Sequence, residues 1–142
     1  MSQTRSTIII DAPIDQVAQA IASVGTYPNW SSSMKAVKVI EGDQIKPTKV
    51  EMSLSSGALR DEAVLNFDWS AFPAALSFSL ESADLLTEMD GHQELKSLGD
   101  ETEVSYSLTV ALSMPVPDMM RQKAEKAVVD QTLKELKAHI EG

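Results

Sequence analysis

The chain has 142 residues and a formal net charge of −9, from 21 acidic against 12 basic side chains, and it contains no cysteine. That length suits one domain spanning 1–142, large enough to bury roughly two-thirds of its unfolded surface without a covalent staple. The missing cysteine excludes disulfides, thiolate chemistry and Cys-based metal sites, and an acidic chain with no run of Lys and Arg is a poor partner for nucleic acid or an anionic membrane surface.

The opening MSQTRSTIIIDAP holds an apolar run of only three isoleucines, too short for a signal-peptide core. No stretch approaches the roughly 18 apolar residues of a membrane span, so a cytoplasmic protein is expected. Gln3 to Ile10 is β-branched and reads as a strand. Asp11 ahead of Ala12-Pro13 reads as an acidic helix cap. Ile14, Val17, Ala18 and Ile21 recur at helical spacing, giving a helix to about Ser23 that Gly25 ends. Tyr27-Pro28-Asn29-Trp30 suggests one tight turn.

From Met34 the period changes to two. Met34 to Glu41 forms one strand. Five more alternating runs follow, centred on Met52, Leu65, Phe78, Met89 and Leu108. Breaks fall at Gly42-Asp43, Ser56-Gly57, Phe72-Pro73, Ala83-Asp84 and Gly99-Asp100. Short spacings favour hairpins and an antiparallel sheet with one dry and one wet face. After Pro115-Val116-Pro117, Asp118 to Ile140 has no Gly or Pro and reads as a helix of about 35 Å, matching the length of the strand Thr102 to Leu112. Lys123, Lys126, Asp130, Lys134, Lys137 and Glu141 form its solvated stripe. The opposite arc carries Val128, Val129, Thr132, Leu133, Leu136 and Ile140 toward the C-terminus, but Arg121, Ala124 and Glu125 toward the N-terminus. The C-terminal half therefore reads as core and the N-terminal half as the lid of a cavity.

The order strand, short helix pair, six strands, long helix resembles the START-related (SRPBCC) superfamily, and within it the polyketide cyclase/dehydrase-like proteins. The residues carrying the resemblance are Ile10-Asp11-Ala12-Pro13, Tyr27-Pro28-Asn29-Trp30, Gly91 before Leu95, Gly99-Asp100-Glu101-Thr102, Pro115-Val116-Pro117 and Leu133-Lys134-Glu135-Leu136-Lys137. It implies an α+β helix-grip fold, a seven-stranded curved antiparallel sheet wrapped around the C-terminal helix. It also implies a deep cavity of the kind relatives use for lipids, sterols, quinones, hormones or polyketides. Catalysis is not implied, because many relatives only carry ligand.

The expected ligand is a small hydrophobic molecule. Trp30, Met52, Met89 and the dry-face residues Ala63, Leu65, Phe78 and Tyr106 are expected around it, with Ala124 and Val128 on the lid; Trp30 and the methionines have ordinary core packing as the alternative. Met114 and Met119 suit the mouth. By strand parity Asp61 falls on the dry face, where a carboxylate needs a partner. Arg121 is the expected partner, Glu125 shares it, and Gln93 is a further hydrogen-bonding candidate. If the protein is an enzyme, a cyclase or dehydratase, Asp61, Arg121 and Glu125 are the acid/base set. Against this stand a bulge that turns Asp61 to water and an ordinary surface pair between Arg121 and Glu125. A protein partner on the wet sheet face is a third reading, disfavoured by its lack of aromatic anchors. The sequence leaves room for a weak homodimer. His92 and His139 make no metal site, and neither a G-x-S-x-G elbow nor a phosphate loop is present, so no metal or cofactor is expected.

Overall fold

The computed structural model describes residues 4–43, 46–56 and 59–142. The expected strand start at Gln3 and the turn at Gly57 lie outside the described residues.

The elements are β1 (Thr4–Ile10), α1 (Ile14–Ala22), the one-turn α2 (Tyr27–Trp30), β2 (Met34–Gly42), β3 (Pro47–Ser56), β4 (Leu59–Asp68), β5 (Ala75–Ala83), β6 (Leu86–Ser97), β7 (Thr102–Leu112) and α3 (Asp118–Glu141). A 3₁₀ turn at Val24–Thr26 joins α1 to α2. One seven-stranded sheet runs β1-β7-β6-β5-β4-β3-β2, and every neighbouring pair is antiparallel. The antiparallel sheet read from the alternation, and the helix-grip fold that the resemblance implies, are thus the observed ones. Register shifts in β2–β3, β4–β5 and β6–β7 supply bulges that bend the strands and curve the sheet.

The curvature makes a concave apolar face, and α3 lies across it against β1 and β7. Val129, Leu133 and Leu136 on α3 are buried with Val17 and Ile21 of α1 and Val104 of β7. Each such side chain stabilises the fold by roughly 1.5–3 kcal/mol. The stripe of α3 read as solvated is mostly exposed, and it also ties the helix to β1 and the residue after it. Lys126 and Asp130 bind the Ser6 hydroxyl, Lys137 donates to the carbonyl of Ile9, and Glu141 accepts from the Asp11 amide.

Two local expectations are corrected. Asp11 does not cap α1: its amide is turned to Glu141, and Pro13 is the N-cap, accepting from the amides of Gln16 and Val17. Gly25 does not end α1 either. Ser23 closes it, its hydroxyl and amide both donating to the carbonyl of Gln19. Gly25 needs no left-handed backbone; among the described glycines that conformation belongs to Gly42, Gly99 and Gly142.

Gly91 has a different role. It sits opposite Phe78 in the β5–β6 register, and a methyl on its Cα would overlap the Phe78 ring. The missing side chain lets that ring lie over β6 and pack on Phe67, 5.6 Å between ring centres.

Candidate functional site

Toward its N-terminus α3 stands off the sheet and roofs a cavity of about 320 Å³. The alternate β7 residues Tyr106, Leu108, Val110 and Leu112 form one wall. Met89 continues it on β6, and Leu85 and Leu86 border it from the β5–β6 turn. Met34, Leu54 and Ser55 close the far side, Met120, Arg121, Ala124, Glu125 and Val128 form the roof, and Met114 and Val116 stand at the rim. The opposite end of the dry face is closed. Met52, Leu65, Phe78 and Gln93 line a void of only about 10 Å³, and Ala63 is fully buried and lines neither space.

Trp30 lies apart from the cavity. Its ring packs edge-on against Tyr27 and stacks on His139, the centres 5.7 Å apart, so it ties α2 to the end of α3. Met119, expected at the mouth, is 80% exposed and lines nothing, while its neighbour Met120 reaches the cavity.

Asp61 borders the cavity, as strand parity implies, but does not pair with Arg121. β5 ends at Ala83 opposite Ala63, so Asp61 lies just past the last β4–β5 pair. Its carboxylate gathers the amides of the turn there. Oδ1 accepts from Glu62 and Asp84 at 2.9 and 3.0 Å, and Oδ2 from Leu85 and Leu86 at 3.1 and 2.9 Å. Asp61 is a clamp on the β5–β6 turn. Gln93 is not its partner, being at the closed end of the face.

Arg121 and Glu125 pair with each other at 2.8 Å, and the surface-pair alternative fails because the Glu125 side chain is fully buried. The reason lies in the sheet. Beyond the last described β1–β7 pair, Thr4↔Leu108, Val110 turns its amide and carbonyl toward α3. Glu125 Oε2 accepts from the Val110 amide at 2.7 Å, and Arg121 donates to the Val110 carbonyl at 3.4 Å. Glu125 Oε1 accepts from the Thr4 hydroxyl at 2.7 Å. The ion pair thus completes the edge of β7 and fastens the roof of the cavity to its wall.

Two polar side chains remain, Tyr106 and Gln93, opposite each other in the β6–β7 register, and the exposed Arg60 also lines the cavity. Tyr106 is fully buried, and neither its hydroxyl nor the buried Oε1 of Gln93 has a hydrogen-bond partner among the described residues. Burial pushes the pKa of Tyr106 well above the ordinary phenol value, so it stays a protonated donor. Tyr27 is raised likewise, by burial and then by the nearby Tyr106, and its hydroxyl is held by the carbonyl of Ile21. No group of three or more His, Asp or Glu among the described residues is arranged to hold a metal ion. No described helix is long and apolar enough to cross a membrane.

A curved sheet gripping a long helix over an apolar cavity defines a START-type helix-grip protein. The chain belongs to the polyketide cyclase / dehydrase and lipid transport family, whose model matches residues 10–137. Solved structures share the fold at low identity. A START superfamily protein from Mycobacterium smegmatis is 18% identical with a TM-score of 0.91, covering 98% of this chain and 97% of that one. The Zhui aromatase/cyclase from Streptomyces sp. R1128 is 17% identical with a TM-score of 0.79, covering 99% and 93%. Ginseng major latex-like protein 151 from Panax ginseng is 12% identical with a TM-score of 0.77, covering 97% and 96%. A search of curated proteins returns no match.

Proposed function

We propose that this protein binds or carries a small hydrophobic molecule, of lipid, quinone or polyketide type, in the cavity beneath the N-terminal half of α3. The observation that carries the reading is the cavity itself, about 320 Å³ with walls of Leu, Val and Met. That is at the lower end of the roughly 300–1,000 Å³ of small-molecule sites. Family membership and an aromatase/cyclase of the same fold support the same class of ligand. A cysteine-free acidic chain suits the reducing cytoplasm as the place of binding.

The acid/base reading needs a carboxylate free to exchange a proton with a substrate. The oxygens of Asp61 accept four backbone amides, and those of Glu125 accept from Thr4, Val110 and Arg121. Both are structural hydrogen-bond acceptors, which favours binding over catalysis.

Native mass spectrometry of protein purified from its own host tests the reading: a stoichiometric apolar molecule released on denaturation is expected. Val128→Trp is the control. The half-buried Val128 faces the cavity, so an indole there fills it with little strain. The variant should fold with unchanged or higher stability and carry no ligand. A ligand retained at full occupancy in Val128→Trp would place binding elsewhere.

A further inference from the structure

The chain has no cysteine, so all its sulfur is methionine. The six methionines among the described residues divide sharply by exposure. Met34, Met52 and Met89 are buried, none more than 6% exposed, whereas Met114, Met119 and Met120 are 44%, 80% and 62% exposed. Four of the six line the cavity: Met34 and Met89 from its buried side, Met114 and Met120 from its exposed side. Met114 and Met120 therefore join access from solvent to contact with whatever the cavity holds.

A thioether reacts with a hydroperoxide that can reach it. The sulfur lone pair attacks one peroxide oxygen, and the S–O bond forms as the O–O bond breaks. The hydroxyl left on sulfur passes its proton to the departing hydroxide, which leaves as water. Sulfur has then lost two electrons to the peroxide. The product, methionine sulfoxide, is polar where the thioether was apolar, a change that disrupts methionine-rich contacts. The neighbours on that side of the cavity, Leu112, Val116 and Val128, offer the new oxygen no side-chain donor, so it holds to water and the wall loses apolar surface.

We propose that Met114 and Met120 form an oxidation-sensitive rim: hydroperoxides convert them to sulfoxides, and the cavity then loses affinity for its apolar ligand, while Met34 and Met89 inside it are spared. This rests on the ligand-binding reading above and adds control by oxidation to the same cavity.

The test uses hydrogen peroxide and a neutral fluorescent probe, N-phenyl-1-naphthylamine, with conversion at each methionine read by peptide mass spectrometry. In the wild type Met114, Met119 and Met120 should convert well before Met34, Met52 and Met89. The dissociation constant of the probe should then rise about fourfold or more, the effect of losing one methylene's worth of apolar contact. Probe bound during the reaction should slow conversion at Met114 and Met120 but not at Met119, which lines no part of the cavity. Met119→Leu should keep the peroxide response. In the double variant Met114→Leu, Met120→Leu, peroxide should leave the variant's own starting affinity within about twofold. Full conversion of Met114 and Met120 with no change in probe affinity would overturn the rim, and so would an equal fall in the double variant or conversion of Met34 and Met89 as fast as the rim pair. In each of those cases the probe still binds and the cavity reading stands. No binding of the probe to the wild type, or equal binding to Val128→Trp, would overturn the rim and the cavity reading together.

Discussion

Glu125→Ala is the most informative single perturbation of the framework around the cavity. It strips three donors of their acceptor: the Thr4 hydroxyl, the Val110 amide and the Arg121 guanidinium. The Arg121 side chain is only 16% exposed, so water cannot fully replace the lost carboxylate. Removing one partner of a buried pair costs about 3–5 kcal/mol. For a chain of this size each kcal/mol lowers the melting temperature by about 4 °C, giving a fall of about 12–20 °C. Glu125→Gln should be far milder, about 1–2 kcal/mol. Its oxygen can still take the Val110 amide and its NH₂ can donate to Thr4, leaving only the Arg121 charge unmet. Urea unfolding with linear extrapolation measures all of these. In a double-mutant cycle with Arg121→Met, the pair should show a coupling of about 2 kcal/mol. A loss below about 1 kcal/mol in Glu125→Ala would refute the buried bridge and make the pair an ordinary exposed contact.

Other consequences follow from the same framework. Asp61→Asn keeps one acceptor oxygen and turns an NH₂ toward two backbone amides, so it should cost about 2 kcal/mol and speed hydrogen exchange at Asp84 to Leu86; unchanged exchange there would contradict the clamp. Gly91→Ala should destabilise by about 1–3 kcal/mol, seen in thermal unfolding, because the new methyl meets the Phe78 ring. Asp130 sits below the ordinary carboxylate range because of Ser6 and then Lys126, and Glu141 because of Lys137 and then the Asp11 amide. Groups lowered in the folded state add stability that is complete above their unfolded pKa and lost as pH falls through the folded one. The α3–β1 seam should therefore weaken below about pH 4, and the double variant Asp130→Asn, Glu141→Gln should show a flatter melting curve against pH in that acid range. An equally steep acid limb in the double variant would count against this account.

The architecture was legible because burial on one side leaves a period. Alternation from Met34 to Leu112 implied a sheet with one dry face, and the uninterrupted stretch from Asp118 implied a helix long enough to cover it. The change of character along α3, from Val129, Leu133 and Leu136 to Arg121, Ala124 and Glu125, located the cavity under the correct half of the helix. Parity likewise brought Asp61, Met89 and Tyr106 to the cavity wall. The signal for Leu108, Val110 and Leu112 was present too, since they share the parity of Tyr106, although the reading did not select them.

Partners were another matter. Asp61 looked to Arg121 because side chains are what a sequence spells out. The amides of Asp84, Leu85 and Leu86 that hold it belong to backbone common to nearly every residue, and only the turn's position after β5 delivers them. The spacing of Arg121 and Glu125 was visible, but their burial depends on Val110 extending past the last described β1–β7 pair. Tertiary structure alone also separated filled core from open space. Met52 and Met89 are the same letter on the same face, yet Met52 borders only the void of about 10 Å³ whereas Met89 also reaches the cavity of about 320 Å³. Hydrophobic pattern records which side of a strand avoids water. It carries no measure of the distance between sheet and helix, and that distance determines whether the apolar face is packed shut or left open for a ligand.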